Sequence, residues 1–463
     1  MTRAGAVNAL VVMPYWSFFE ESTTLDLRRD REMLLRHVVD SVSAAGVAVG
    51  SAALLESVAD ADVALSRAER QPVDVLVVAS SMAAPPSPVL HLIRGLPAKP
   101  LVIWPCAWPA RRLDGFSHAD IVERGATVGT PMITSVLVRE SRTFAVLPVD
   151  LDVDQPGPAL AEEIAAAVTA SRLRRARVAR IGEPLSGYES LVVEDDVLEA
   201  GTGVCVVRLE ESEFTASYER VSSSRARVRA QGISESAVID CEEDLLLVAA
   251  RSVEALESLV AVRGLDAGTL NCHCPGIRQS PEVAHAPCLA LGTSTSRGVP
   301  WTCTGDVLTA VAMLLTSLVS GTSLYHEIEA FDPSSGEFVL ANSGEHDTRW
   351  SEQQPRIVPS PWWSRSVCAV HPVTPGPATL VALCRTPDGL RLVTAEGSVT
   401  VDSEPATGTT SARFRWRGDQ ATAGWSRWVE SGAGHHAALG RGHLAGQLGR
   451  VAHHLGLDVR LAP

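Results

Sequence analysis

Apolar runs recur along the first third of the chain at Ala9–Tyr15 (ALVVMPY), Val73–Ser81 (VDVLVVASS) and Lys99–Cys106 (KPLVIWPC), with an Arg-rich helical stretch over Leu25–Ala45 after the first. Continuous rather than alternating apolar runs, separated by helices, predict parallel strands covered on both faces. This reads as a flavodoxin- or Rossmann-like unit. A Pro- and Asp-containing segment, 148–158, leads into a predicted helix over Ala159–Arg177, which places a boundary near residue 152. The strand pattern then restarts at Arg177–Pro184, Gly203–Glu210 and Ser258–Gly276, with helices predicted at Ser212–Gln231 and Ser234–Ser252. A second α/β domain, 153–346, follows from that restart.

Beyond Asp347 the period changes. Short runs such as ATLVALCR, LRLVTAEG and SARFRWRG are spaced by turn residues, and six of the ten tryptophans fall here, which predicts an antiparallel, barrel-like C-terminal domain over 347–463. A last helix is expected at Gly442–Leu455, then a strand, LDVRLA. The expected fold class is therefore α/β: two doubly wound domains followed by a β-rich domain.

Composition narrows the function. With 46% hydrophobic and 20% charged residues, 463 residues supply several buried cores. A net charge of -14 leaves no basic surface for a phosphate backbone, so nucleic acid is not an expected partner. No apolar stretch reaches membrane-spanning length and the run at Ala9–Met13 is too short for a signal segment, so a cytoplasmic protein with no membrane partner is expected. Nine cysteines read as reduced thiols, and Cys272-His273-Cys274, without a second ligand pair, reads as buried small residues rather than a zinc site. Neither GxGxxG nor a P-loop occurs at a strand-to-helix junction, which gives a nucleotide cofactor no support.

Polar residues interrupt expected core positions in three places: Trp301–Asp306, Tyr325–Asp332 with Asn342–Asp347, and Gly432–His443. On a strand through Tyr325–Asp332, Glu327 and Glu329 share one face while His326 and Ile328 take the other. Paired carboxylates either hold a hard divalent ion, or raise one another's pKa for proton transfer, or form a solvated edge. His435 and His436 lie in a Gly-flanked loop before an Ala-rich stretch read as a helix; they are metal-ligand candidates or solvated imidazoles.

The stretches PCLALGTSTSRGVPWTCTGDVLTAVAMLL, GTSLYHEIEAFDPSSGEFVLANSG and GAGHHAALGRGH, in that order, resemble the L-fucose isomerase and L-arabinose isomerase superfamily. The layout of two α/β domains and a β-rich domain resembles it too. The resemblance implies Mn²⁺ or another divalent metal, and interconversion of a small aldose and ketose through a cis-enediol. It also implies a homo-oligomer, a trimer or hexamer, in which Trp16, Phe18 and Phe19 reach a neighbour's site, Trp16 being the best sugar-stacking candidate. Carried onto this chain, it makes Glu327 and His436 metal ligands, with Glu327 also catalytic and His435 the alternative histidine or a substrate contact. Asp306 becomes an acid/base or supporting carboxylate, and Trp301, Thr304 and Asn342 line the substrate pocket. Two positions depart: Thr304 stands where the family has its first metal-binding Glu, and a hydroxyl supplies neither an anionic ligand nor a base near pH 7, while His346 is shifted from the place near Asn342-Ser343-Gly344 where the arabinose-type enzymes have a His ligand. Asp306, Glu329, Glu345 or His346 would have to substitute. Three functions stay open: a working isomerase, an enzyme of other chemistry on a sugar or polyol, and a non-catalytic sugar-binding protein.

Overall fold

A computed structural model of the chain describes residues 7–108, 114–400, 408–418 and 421–462, which divide into two compact units. The first unit, residues 3–172 with 450–456, is built on β1 (Asn8–Pro14), β2 (Ala48–Leu55), β3 (Val75–Ser80), β4 (Leu101–Pro105) and β5 (Ala145–Val146). They form one parallel sheet in the order β2-β1-β3-β4-β5. β3 and β4 are buried along their whole length, as continuous apolar runs require of a sheet covered on both faces. Two separate apolar clusters do the covering: Val11, Leu34, Val77 and Trp104 on one side, Leu10, Leu76, Ile93 and Ile103 on the other.

The second unit, residues 173–449 with 457–463, contains a parallel sheet and a barrel. Its sheet strands are β6 (Arg177–Ile181) and β7 (Cys205–Leu209), then, after β8 (Val238–Ile239), β9 (Ala267–Leu270) and β10 (Trp301–Cys303). The sheet order is β10-β9-β6-β7, all parallel. The single helix expected over Ser212–Gln231 is two, Glu211–Glu219 and Ser223–Ser236, because Ser222 leaves helical geometry and its hydroxyl accepts from the Arg225 N–H as a new N-cap. The helix expected at Ser234–Ser252 begins later and runs Glu243–Arg263.

The remaining strands are β11 (Leu324–Asp332), β12 (Glu337–Ala341), β13 (Arg356–Pro359), β14 (Val367–Val370), β15 (Gly376–Thr386), β16 (Gly389–Val399), β17 (Ser411–Trp416), β18 (His436–Arg441) and β19 (Asp458–Leu461). Six of them close an antiparallel barrel in the order β15-β18-β11-β12-β17-β16, with β16 pairing back onto β15 and β19 adding in parallel to β16. β8, β13 and β14 form a small separate sheet. Closure removes the exposed edges that six antiparallel strands would otherwise present. The barrel takes two strands, β11 and β12, from before Asp347, and His436–Arg441 is one of its strands rather than the start of a helix. Alternation decides the latter: Ala437 and Leu439 enter the barrel core with Leu324 and Leu380, and Leu324, Leu439 and Leu380 lie abreast on neighbouring strands. The apolar helix Val307–Ser320 packs against β18, β15 and β9, and it is buried from Val307 through Thr316. It delivers its N-terminus to the first residue of β18. No helix among the described residues is long and apolar enough to cross a membrane.

Candidate active site

The site is assembled where β10 ends. Cys303 is the last strand residue, and the chain reverses through Thr304 (φ +58°) and Gly305 (φ +82°) into the helix. Only glycine fits the second position, because a Cβ there would lie 2.6 Å from the Pro184 Cα. Asp306 then caps the helix: one carboxylate oxygen accepts the Thr309 N–H at 2.9 Å. The second oxygen is 2.7 Å from His436 Nδ1.

β11 and β18 pair so that Glu327 lies directly opposite His436, and opposed residues of an antiparallel pair project to the same side. Glu327 Oε1 is 3.0 Å from His436 Nε2. One imidazole thus bridges two carboxylates, with Asp306 and His436 buried and Glu327 half-buried. Burial alone would discharge His436, but the hydrogen bonds from its ring to Asp306 and Glu327 outweigh it and lift its pKa to about 9. Burial opposes ionisation of Asp306 and Glu327 as well, yet the His436 contact holds both below the usual carboxylate range. The Tyr325 ring lies 4.8 Å from the His436 ring, and the Cys303 thiol faces the Tyr325 hydroxyl.

His435 precedes the strand, its ring 3.9 Å from that of His436 and its Nδ1 3.4 Å from the Ser190 hydroxyl. Burial and the neighbouring His436 push its pKa down, so it presents a neutral imidazole. Ligand atoms of Glu327, His435 and His436 all lie within 4.8 Å of one another. One carboxylate and two imidazoles form a mixed oxygen and nitrogen donor set of the kind that holds a divalent transition ion. Asp306 stands where a carboxylate fixes a ligating histidine through its other ring nitrogen. The residues present fit such an ion. A cavity of about 280 Å³ adjoins them, lined by Ser190, Leu191, Asp306, Cys384, Arg385 and His436 among others.

The other sequence candidates are placed differently. Thr304 is buried, and its hydroxyl is turned onto the Cys303 carbonyl at 2.7 Å. Trp301 is fully buried, its ring against Gly268 on the adjacent strand. Asn342 directly follows β12, and its side-chain oxygen accepts from the Ser343 N–H at 2.6 Å. Trp16 belongs to the first unit, stacked on Phe18 at 4.5 Å.

Of the residues that could stand in for the missing Glu, Glu345 is buried, with Ser343 and the thiols of Cys288 and Cys303 hydrogen-bonding to it. His346 is buried beside His326 and His371. Glu329 behaves otherwise. A bulge between Ile328 and Ala330 breaks the strict alternation expected of this strand and leaves Glu329 exposed, yet partial burial and the nearby Glu327 raise its pKa. Ser190 and Arg385 also border the cavity, and neither carries a local signal in the sequence.

No protein-family model matches the chain, and neither does any curated protein.

Proposed function

We propose that the chain is a divalent-metal-dependent, aldose–ketose isomerase-like enzyme, a divergent relative of the L-fucose and L-arabinose isomerases acting on a small sugar. The observation that carries this reading is the Asp306–His436–Glu327 chain with His435 beside it, three potential ligands backed by a buried carboxylate. The finer fold belongs to the same reading: the order β2-β1-β3-β4-β5 in the first sheet suits a doubly wound, flavodoxin-like domain.

Glu327, His435 and His436 would hold the ion, which supplies Lewis acidity toward a carbonyl and its adjacent hydroxyl. Asp306 keeps the His436 ring in one orientation, with Nδ1 bonded and Nε2 directed at Glu327. Glu329, with its raised pKa, takes the proton from C2 and returns it at C1, the part that Thr304 leaves unfilled. The raised pKa brings the carboxyl closer to neutral pH, where a base that must also act as an acid works best.

A second reading is favoured by one feature of the same geometry: both His436 nitrogens are already satisfied by carboxylates. Metal-free acid–base chemistry on a sugar or polyol would use that triad as it stands. The deciding experiment is metal analysis of the purified protein together with ¹H exchange at C2 of a panel of aldoses in D₂O. The isomerase reading expects a stoichiometric divalent ion, reduced in Glu327→Gln, and exchange that Glu329→Gln suppresses by roughly 10²–10⁴-fold, the usual reach of a general base. Exchange that survives full chelation selects the metal-free reading. Protein that carries no ion and exchanges no aldose proton refutes the isomerase.

A further inference from the structure

The segment that follows β6 is pinned to the turn that opens the candidate site: the Leu185 N–H donates to the Thr304 carbonyl at 2.9 Å, and Pro184 packs on Gly305. The chain then turns through Tyr188 into a short 3₁₀ helix, Glu189–Leu191. Residues of this one segment line two cavities. Ser190 and Leu191 border the cavity of about 280 Å³ beside Asp306 and His436. Leu185 and Tyr188 border a second, of about 350 Å³, at the carboxyl ends of β6 and β7, and Glu189 and Val192 border both. Open α/β sheets bind ligands outside the carboxyl ends of their strands, in pockets of about 300–1,000 Å³. His435 stands at the junction, its ring edge-on to that of Tyr188 at 5.4 Å and its Nδ1 3.4 Å from the Ser190 hydroxyl.

The wall of the second cavity has a specific chemistry. Arg180 and Arg208 are register neighbours on β6 and β7, and both bind Asp195, Arg180 through Nη1 at 2.8 Å. Arg180 is only 3% exposed; its Nη2 donates to the Val193 carbonyl at 3.0 Å, and its Nε has no acceptor among the described residues. A buried N–H in that state is costly, and a ligand oxygen would satisfy it. Three carboxylates, Glu183, Glu189 and Glu194, line the cavity with the two guanidiniums, so no positive charge is left over for a phosphate or carboxylate. Hydroxyls both donate and accept, which matches this mixture of donors and acceptors. The exposed ring of Tyr188 adds an aromatic face for the C–H side of a sugar.

We infer that the second cavity is a subsite for a second sugar ring, so that the substrate is a reducing disaccharide whose free aldose end reaches the group of Glu327, His435 and His436. The cavity beside His436 already receives the reacting sugar, and the adjoining one exceeds what a lone pentose or hexose would use. Tyr188 forms the platform under the second ring, and Arg180 supplies a donor from the wall. The reaction at the reducing end rests on the isomerase reading above; the binding of the second ring does not.

Saturation-transfer NMR on the full-length protein as purified tests this, titrating maltose, cellobiose, lactose and gentiobiose against glucose and galactose. At least one disaccharide is expected to bind about tenfold more tightly than either monosaccharide, with saturation reaching protons of both rings, as one or two added hydrogen bonds allow. Tyr188→Ala, a change at an exposed side chain, should cut that preference by roughly 3–10-fold, the reach of an aromatic contact, and Tyr188→Phe, which keeps the ring, should restore it. Disaccharides that bind no more tightly than the monosaccharides overturn the subsite, as does a preference that survives Tyr188→Ala, whatever proton exchange the aldoses show. A preference that depends on Tyr188, in protein that carries no ion and exchanges no aldose proton, upholds the subsite and refutes the isomerase alone.

Discussion

Replacing Asp306 separates the two tasks its carboxylate performs. One oxygen caps the Val307–Ser320 helix and the other binds His436. Asn caps about as well as Asp, so Asp306→Asn removes only the charge-assisted bond to His436, worth about 1.5–3 kcal/mol. Asp306→Ala loses the same bond and the cap as well, about 1 kcal/mol more. The Ala variant should therefore be less stable than the Asn variant by about 1 kcal/mol. Urea unfolding measures this, read on the transition of the unit containing the site, since two compact units need not unfold together.

The pH dependence gives a second, independent readout. In metal-free protein, stripped by chelation, His436 titrates near 9 when folded and about 6.5 when unfolded, so its contribution is complete below pH 6.5 and is lost as the pH rises through 9. At about 1.36 kcal/mol per pKa unit that alkaline loss is of order 3 kcal/mol. It should shrink in Asp306→Asn, whose amide no longer stabilises the charged ring. Equal stability of the Asn and Ala variants, or an alkaline limb unchanged from wild type, would refute the assignment of Asp306 as the principal partner of His436.

Gly305→Ala should lower stability by about 2–5 kcal/mol in urea melts, combining left-handed backbone strain with a Cβ pressed onto Pro184, and a wild-type midpoint would contradict the turn geometry. Thr304→Gly relieves a β-branched residue held at φ +58° and should raise the unfolding free energy by about 1 kcal/mol, seen as a higher urea midpoint; a fall would show that its bond to the Cys303 carbonyl matters more than the strain. His285 is buried between Val283 and Ser252, and burial pushes its pKa down to about 4. Its folded pKa being depressed, it contributes stability above pH 6.5 that is lost as the pH falls toward 4, again of order 3 kcal/mol. Unfolding free energies measured from pH 7 to pH 4 should show a flatter acid limb in His285→Gln, and an unaltered slope would remove His285 from the acid response.

What was legible in the sequence was local. The strands of the first sheet, the Val307–Ser320 helix behind its Asp306 cap and the strand through Glu327 follow from apolar period and capping chemistry, which act within a few residues. Glu327, Asp306 and His436 stood out as polar residues in apolar surroundings, and the structure brings them together. Local reading failed where two segments had to agree. GHHAALGR has helix-forming alanines, yet it is a barrel strand because β11 and β15 flank it and bury Ala437 and Leu439. Strict alternation put Glu329 on the Glu327 face, and only pairing with β12 creates the bulge that exposes it.

By itself, then, the sequence determined which segments become strands and helices and which polar residues are too costly to bury without partners. Tertiary structure alone decided that Asp306 and Glu327 meet at His436 across 130 and 109 residues of chain, and that His326 faces away from them toward His346 and His371. The physical reason is that strand register is a property of the closed barrel. A one-residue slip of β18 against β11 would send His436 to the opposite face, and only the packing of Leu324, Leu439 and Leu380 abreast in the core forbids it.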